Sequence, residues 1–116
     1  MMVKDLIDIL PMQLETRQDT LSKPVTGIYC GDLLSLVMAN AQEGNAWITI
    51  QSHINVVAVA SLVGLAAIIV VEGNTVDLEV IEKADQEGIA IFTTKNSAYD
   101  IASMCAQNLS FNKKGV

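Results

Sequence analysis

Short hydrophobic runs alternate with helical stretches over the second half of the chain. Strands are predicted at Ala46–Ile50, Ala66–Val71 and Ile89–Phe92, because each run is short and rich in apolar, β-branched or aromatic residues. The run Ala66–Val71 is apolar throughout, which is typical of a strand that is buried on both faces. These runs therefore predict the central strands of a covered sheet.

A helix is predicted after each of these strands. Ile54–Val63 is followed by Gly64 as a helix stop, Thr75–Glu87 is amphipathic, and the third helix covers Ser97–Asn108. A strand–helix order that repeats about every 20 to 23 residues predicts parallel strands joined by right-handed crossovers. The predicted fold is therefore α/β, a single domain over residues 1–116 with a mostly parallel sheet and flanking helices.

The first half of the chain has a less regular pattern. The predicted elements are a short helix at Val3–Leu10, an edge strand within Met12–Arg17, a polar loop at Gln18–Pro24, a strand at Val25–Tyr29 and a helix at Asp32–Ala41.

The helix predicted at Asp32–Ala41 is hydrophobic on nearly every side. Its apolar residues include Leu33, Leu34, Val37 and Met38. A helix that is apolar all round must be covered all round. A second subunit is a natural cover in so small a domain, so these four residues are the predicted homodimer interface. The alternative is a core unusually rich in aliphatic residues, since 51% of the chain is hydrophobic.

The charge of the chain argues against a nucleic-acid partner. The formal net charge is −6, and the seven basic residues are scattered, with only Lys113 and Lys114 adjacent. Phosphate backbones are bound by clustered Lys and Arg. We interpret the adjacent pair as a solvated terminus, and no nucleic acid is expected.

One uncharged stretch is long enough to raise the question of a membrane span. Residues 54–71 carry no charge, and these 18 residues reach the lower limit for crossing a bilayer. The stretch contains Asn55, Ser61 and Gly64, and its flanks lack a bias towards Lys and Arg. A helix, a glycine stop and a strand explain it better, so no membrane association is predicted.

The two cysteines suggest a reducing compartment. Cys30 and Cys105 are far apart and neither has a CxxC partner. One disulfide between them would be compatible with the sequence, but Lys4, Asp5 and Asp8 interrupt the N-terminus, which leaves no signal-peptide core. We therefore expect two reduced, mostly buried thiols in a cytoplasmic protein.

Polar residues lie at or just after the end of each predicted strand in the second half. Carboxyl ends of parallel strands meet at one edge of a sheet, beside helix N-termini that favour anions, and ligands collect there. Any one such residue more often caps a helix or closes a turn, but together they are the predicted ligand site. Its members are Thr49, Gln51, His53, Asn55, Glu72, Thr93 and Thr94.

No catalytic or cofactor motif accompanies this group. His53 is the sole histidine, and a capping or surface role is favoured over acid–base chemistry. Neither metal-ligand spacing nor a nucleophile–base set is evident, and the glycines form neither GxGxxG nor GxxxxGK[ST]. The sequence therefore predicts no enzyme activity, no cofactor and no metal.

Several segments of the sequence resemble the DRTGG domain family, and the resemblance covers nearly the whole chain. Its most specific parts are Gly31–Ser35, Val37–Ala39 and Trp47–Thr49, with Gln51 and His53 behind the last of these.

Only part of the motif that names the family is present. Thr26 and Gly27 remain, whereas Ile28 stands where a second glycine is expected, and no Asp-Arg pair precedes Thr26. A glycine in a strand can mark close backbone approach, or simply a bulge. The resemblance adds Thr26 and Gly27 to the candidate ligand residues.

The resemblance implies a fold like the N-terminal domain of HPr kinase/phosphorylase. Related domains are appended to phosphate acetyltransferases or inserted among CBS domains of pyrophosphatases, as regulatory or dimerising parts. For the present chain, the resemblance implies a non-catalytic homodimer that senses a nucleotide or phosphorylated metabolite and modulates a metabolic enzyme or a hydrogenase-system protein. The alternative is a pure interaction module without a small ligand. Kinase activity is not expected, because the phosphate loop is missing.

Overall fold

A computed structural model describes residues 1–111 of the chain, so the pair Lys113 and Lys114 lies outside the described residues. Five strands form one sheet: β1 (Gln13–Leu14), β2 (Gly27–Cys30), β3 (Asn45–Thr49), β4 (Ala67–Val70) and β5 (Ala90–Thr93). Their order across the sheet is β1-β5-β4-β3-β2. Strands β2 to β5 are parallel, and β1 pairs with β5 in the antiparallel direction.

Helices cover both faces of this sheet. They are α1 (Val3–Leu6), a 3₁₀ helix at Gln18–Ser22, α2 (Leu34–Asn40), α3 (Asn55–Val63), α4 (Leu78–Glu87) and α5 (Ala98–Asn108). One hydrophobic cluster joins α1 and α5 to the sheet through residues such as Leu6 and Ile101. The other joins α2, α3 and α4 to the opposite face through Val37, Val57 and Val80. The predicted α/β architecture is confirmed.

The second half of the chain follows its predicted order closely. Gly64 and Gly88 end α3 and α4 with left-handed φ values of +82° and +70°, a conformation that glycine adopts without a Cβ penalty. The uncharged stretch of residues 54–71 is divided into α3, Gly64 as the helix stop, and β4, as predicted. Within residues 1–111, no helix is long and apolar enough to cross a membrane.

Several boundaries differ from the predictions: the strand expected at Val25–Tyr29 covers Gly27–Cys30, and the helix expected at Asp32–Ala41 covers Leu34–Asn40. The first helix ends at Leu6 rather than Leu10, and irregular turns follow it. The segment predicted as a polar loop at Gln18–Pro24 is largely a 3₁₀ helix, in which Thr20 and Leu21 are buried and the Thr20 hydroxyl donates a hydrogen bond to the Arg17 carbonyl. Helix α4 begins at Leu78 instead of Thr75, since the residue before it has extended backbone angles.

The predicted homodimer residues divide between the core and the surface. Val37 is fully buried between α2 and the sheet, so its place in a dimer interface was a wrong prediction. Leu34 is half-buried, whereas Leu33 and Met38 are exposed. Helix α2 is therefore covered on one side by its own sheet and open on the other.

The two cysteines also differ from each other. Cys105 is buried, as predicted, but Cys30 is exposed at the end of β2, which corrects the expectation of two buried thiols. Both are free thiols.

Candidate functional site

The predicted ligand residues lie at two opposite edges of the sheet. Seven of them lie at or beyond the carboxyl ends of the parallel strands, which we call the carboxyl edge. Thr26 and Gly27 instead lie at the amino end of β2, on the far side of the molecule. The nine residues therefore do not form one site.

Thr26 holds together the turn that precedes β3. Its hydroxyl donates a 2.7 Å hydrogen bond to the Glu43 carbonyl and accepts one of 3.3 Å from Nδ2, the side-chain nitrogen of Asn45. A Cβ atom on Gly27 would approach that nitrogen to 3.0 Å, so the glycine makes room for the Asn45 side chain. These contacts give the Thr26–Gly27 pair a structural role.

Thr49 is also engaged within the fold. Its side chain is fully buried, and its hydroxyl donates a 2.9 Å hydrogen bond to Oδ1 of Asp32. The same hydroxyl accepts a bond of 3.1 Å from the backbone N–H of Gln51, whose side-chain amide donates to the Asp32 carbonyl at 3.1 Å. Thr49 and Gln51 thus fasten the end of β3 to the turn between β2 and α2.

Thr93 and Thr94 both lie at the end of β5, with different surroundings. Thr94 is buried, and its hydroxyl donates a 2.8 Å hydrogen bond to the carbonyl of Pro11. The hydroxyl of the half-buried Thr93 donates a 2.7 Å hydrogen bond to Oε2 of Glu15, the residue that follows the edge strand β1. Of the two, Thr93 is the one that a ligand could reach.

A cleft of about 540 Å³ opens beside these two threonines. We call it the carboxyl-edge cleft. One wall is the segment from Pro11 to Glu15, and the other is the loop between β4 and α4 together with Lys95. Its volume lies within the usual range for small-molecule sites, about 300 to 1,000 Å³.

Hydrogen-bond donors in this cleft suit an anion. Lys95 is exposed and forms no salt bridge with any residue of the described chain. The backbone N–H groups of Thr75 and Val76, in the same wall as Lys95, donate no hydrogen bond within residues 1–111. Glu15 is the acidic group of this cleft, and the Thr93 hydroxyl occupies one of its oxygens. An ammonium and free backbone donors are the groups that proteins use to hold phosphate.

The loop that forms this wall has an unusual backbone. Glu72 has a φ of +66°, the one positive value at a non-glycine position in the described chain, and Gly73 follows with +68°. The N–H of Glu72 donates to the Asn96 carbonyl and that of Gly73 to the Thr94 carbonyl, both at 2.9 Å. These bonds hold the loop against the β5–α5 connection, and they offset a backbone strain of order 1–3 kcal/mol.

His53 and Asn55 are exposed at the beginning of α3, outside the carboxyl-edge cleft. His53 lines a smaller pocket of about 190 Å³, whose rim includes Asp77 and Glu79. These carboxylates make the pocket unfavourable for a phosphate, because like charges repel at short range.

Asn74 connects the two pockets, and it is one of the polar residues that follow the predicted strand Ala66–Val71, although it is not among the seven predicted ligand residues. Its side-chain nitrogen donates to the Ile50 carbonyl at 2.7 Å and to the Ser52 hydroxyl at 3.2 Å. It lines both pockets, so a ligand in either one would contact it or its neighbours. In the sequence, the sign that Asn74 and Lys95 belong to the site is that each is a polar residue just after a predicted strand.

Neither cysteine of the described residues provides an activated nucleophile at this edge. Partial burial of the thiol group, with a smaller contribution from Asp32, raises the pKa of Cys30, although the residue as a whole is exposed. Burial, and then the proximity of Cys30, raises the pKa of Cys105 to about 11. Both thiols are therefore protonated near neutral pH, and the thiolate is the reactive form. Among residues 1–111, no group of three or more His, Cys, Asp or Glu side chains is placed to hold a metal ion.

Sequence comparisons and structural comparisons give different results. No protein-family model and no curated protein sequence matches this chain. A crystal structure of the CBS and DRTGG domains of the regulatory region of Clostridium perfringens pyrophosphatase, complexed with the activator diadenosine tetraphosphate, does match. The TM-score is 0.70 at 18% identity, and the match covers 97% of this chain and 51% of that chain.

This match establishes the fold. The chain spans about half the length of the Clostridium perfringens regulatory region, and the predicted DRTGG-like α/β architecture is confirmed.

Proposed function

We propose that this protein is a non-catalytic regulatory module that senses a nucleotide or another small phosphorylated metabolite. The observation that carries the proposal is the carboxyl-edge cleft, one wall of which combines Lys95 with the loop that contains the free N–H groups of Thr75 and Val76. A phosphate bound against this wall would receive an ammonium and backbone donors at once.

The structural neighbour supports a regulatory role of this kind. It is a regulatory region, and its structure contains a nucleotide activator. By analogy, the present chain would respond to a nucleotide and would modulate a metabolic enzyme. Fold likeness carries function only as an analogy, so the cleft itself must be tested.

The hydroxyl groups of the carboxyl edge support binding over catalysis. Thr49, Thr93 and Thr94 each donate to an acceptor within the fold. None of the three has a histidine as a hydrogen-bond partner, so none is paired with a base that would activate it.

The test is a thermal-shift screen with adenine and guanine nucleotides, dinucleoside polyphosphates and acetyl phosphate. A ligand present at about one hundred times its Kd adds about 2.7 kcal/mol, which for this chain length is a shift of about ten degrees. Lys95→Gln should abolish the shift. Lys83→Gln is the matched control, because it removes one exposed charge from α4, outside the cleft.

The outcomes separate the candidate functions. A shift that Lys95→Gln removes and Lys83→Gln retains supports a sensor with its site in this cleft. A shift that survives Lys95→Gln contradicts the location. No shift with any compound contradicts the sensor and favours the second candidate, an interaction module without a small ligand, which the exposed side chains of Leu33, Leu36 and Met38 support.

A further inference from the structure

The carboxyl-edge cleft contains a carboxylate as well as donors for an anion. Glu15 follows the edge strand β1 and belongs to the wall that does not contain Lys95. It is half-buried and forms no salt bridge within residues 1–111. A negative charge in the wall weakens the binding of a bare phosphate, because like charges repel at short range. A ligand that binds well in this cleft must therefore offer the carboxylate a favourable partner.

The Glu15 carboxylate is held in place and still has room for a hydrogen-bond donor. The Thr93 hydroxyl donates to Oε2 at 2.7 Å, and within residues 1–111 the other oxygen, Oε1, accepts no hydrogen bond. An ionised carboxylate only accepts hydrogen bonds, and its two oxygens together offer about four lone-pair positions. The ligand group that meets Glu15 must therefore be an O–H or N–H donor.

The chain places this carboxylate close to the groups proposed to hold the phosphate. Thr93 contacts the carboxylate, and Lys95 follows it by two residues. An extended chain spans at most about 3.6 Å per residue, so the Cα atoms of Thr93 and Lys95 are no more than about 7 Å apart. The donor must therefore belong to a part of the ligand that adjoins its phosphate. The hydroxyl groups of a phosphorylated sugar meet this condition, whereas the base of a nucleotide lies farther from the phosphate.

We propose that the Glu15 carboxylate binds a sugar hydroxyl of the ligand, and so selects a phosphorylated sugar, such as the ribose of a nucleotide, over a bare phosphate or an acyl phosphate. In other α/β folds, an acidic side chain accepts a hydrogen bond from a ribose hydroxyl in the same way. This inference rests on the proposed function, because it requires a phosphate bound against the wall that contains Lys95.

Two effects produce the selection. A ligand without a hydroxyl leaves the carboxylate without a partner in the occupied cleft, which costs the binding free energy of a hydrogen bond to a charged group. The same ligand also retains the repulsion between its phosphate and Glu15 in full. Glu15 thus acts as a specificity-determining residue of the cleft.

The test is isothermal titration calorimetry of the full chain with matched ligands. They are ADP or GDP, whichever gives the larger thermal shift, its 2′,3′-dideoxy analogue, and pyrophosphate. The first two share base and diphosphate and differ in the two sugar hydroxyls, while pyrophosphate has the diphosphate alone. We expect the nucleoside diphosphate to bind at least about tenfold more tightly than either of the others.

The variant Glu15→Gln separates the two effects. It removes the charge and retains an oxygen that can accept from Thr93, so the fold should be preserved, which circular dichroism checks. Pyrophosphate should bind more tightly because the repulsion is gone. The ratio of the two affinities, nucleoside diphosphate to pyrophosphate, should fall about tenfold, since only the nucleotide loses a hydrogen bond to a charged acceptor. Glu82→Gln is the matched control, because it removes an exposed carboxylate from α4, outside the cleft, and should leave this ratio unchanged.

Ribose 5-phosphate distinguishes the two sources of such a sugar. If it binds more tightly than inorganic phosphate, and Glu15→Gln removes this advantage, the inference is supported and the sugar phosphate is sufficient without a base.

The outcomes distinguish this inference from the proposed function. A dideoxy analogue that binds as tightly as its parent would overturn the inference, even if Glu15→Gln did not fold, and would leave the sensor in place. An affinity ratio that Glu15→Gln leaves unchanged, or binding of acetyl phosphate alone, would have the same meaning. No binding of any compound would overturn the inference and the proposed function together.

Discussion

The buried hydroxyl of Thr49 donates a hydrogen bond of 2.9 Å to Oδ1 of Asp32, and the backbone N–H of Ile50 donates to the same oxygen at 2.9 Å. Asp32 belongs to the turn between β2 and α2, and Thr49 is the last residue of β3. One carboxylate oxygen therefore connects two neighbouring crossovers at the carboxyl edge.

Replacing Asp32 should destabilise the protein. Asp32→Ala removes two hydrogen bonds to a charged acceptor and leaves the buried Thr49 hydroxyl without its acceptor, so we expect a loss of about 2 kcal/mol in the free energy of unfolding. Urea denaturation can be followed by the fluorescence of Trp47, the sole tryptophan, which is fully buried. Asp8→Ala is the control, because Asp8 is exposed. Equal stability of the two variants would show that the Asp32 contacts contribute little.

Replacement by alanine should destabilise the protein to different extents at two glycines that both have a positive φ. Gly44 has a φ of +83°, and a Cβ there would lie 2.7 Å from the side chain of Thr26, which its hydrogen bonds hold in place. Gly73 has a φ of +68° and open space around it. We expect Gly73→Ala to cost about 1 kcal/mol from backbone strain alone, and Gly44→Ala to cost about 3 kcal/mol from strain and the clash. A smaller loss for Gly44→Ala than for Gly73→Ala, measured in urea, would contradict this account of the Thr26 turn.

The pKa of Cys105 predicts a loss of stability at high pH. In the unfolded chain the thiol ionises near its ordinary value of 9.0, while in the folded chain burial raises the pKa to about 11. Because the folded-state pKa is the higher one, the stabilising contribution is complete below pH 9 and is lost as the pH rises through 11. The free energy of unfolding should therefore fall between these values, and less steeply in Cys105→Ala.

Cys105→Ala also removes packing contacts, which lowers the free energy of unfolding at every pH. The two proteins are therefore compared by how steeply this free energy falls with pH, and not by its absolute value. Cys30→Ala is the matched control, since it removes the exposed thiol and should retain most of the slope. Parallel curves for the wild-type protein and Cys105→Ala would show that this thiol does not ionise in the range.

The strands of the second half were predictable because each is a short run with a composition that suits a buried strand. Ala67–Val70 lies within the predicted Ala66–Val71, and the glycine after α3 marks its end in both descriptions. The composition of a strand and the glycine that ends a helix depend only on residues that are adjacent in the sequence, so both can be predicted from the sequence alone.

The candidate site was less predictable, because polarity does not indicate which acceptor a hydroxyl will find. Thr49 and Thr94 were expected to face a ligand, and their partners are Asp32 and the Pro11 carbonyl, 17 and 83 residues away in the sequence. Thr26 became a candidate through the family resemblance, and it precedes its strand, so it lies at the edge of the sheet opposite the strand ends. Val37 could not be separated from Met38 until the sheet showed which side of α2 it covers.

The scarcity of charge around α2 and α3 determines which laboratory reagents can detect this region. No Lys or Arg lies between Lys23 and Lys83, and the bond between Lys23 and Pro24 resists trypsin. Amine-reactive cross-linkers and tryptic mapping would therefore give no information on α2 and α3, and a negative cross-linking result would say nothing about a contact there. Hydrogen exchange with pepsin digestion, which does not depend on lysine, is the mapping method suited to this half of the protein.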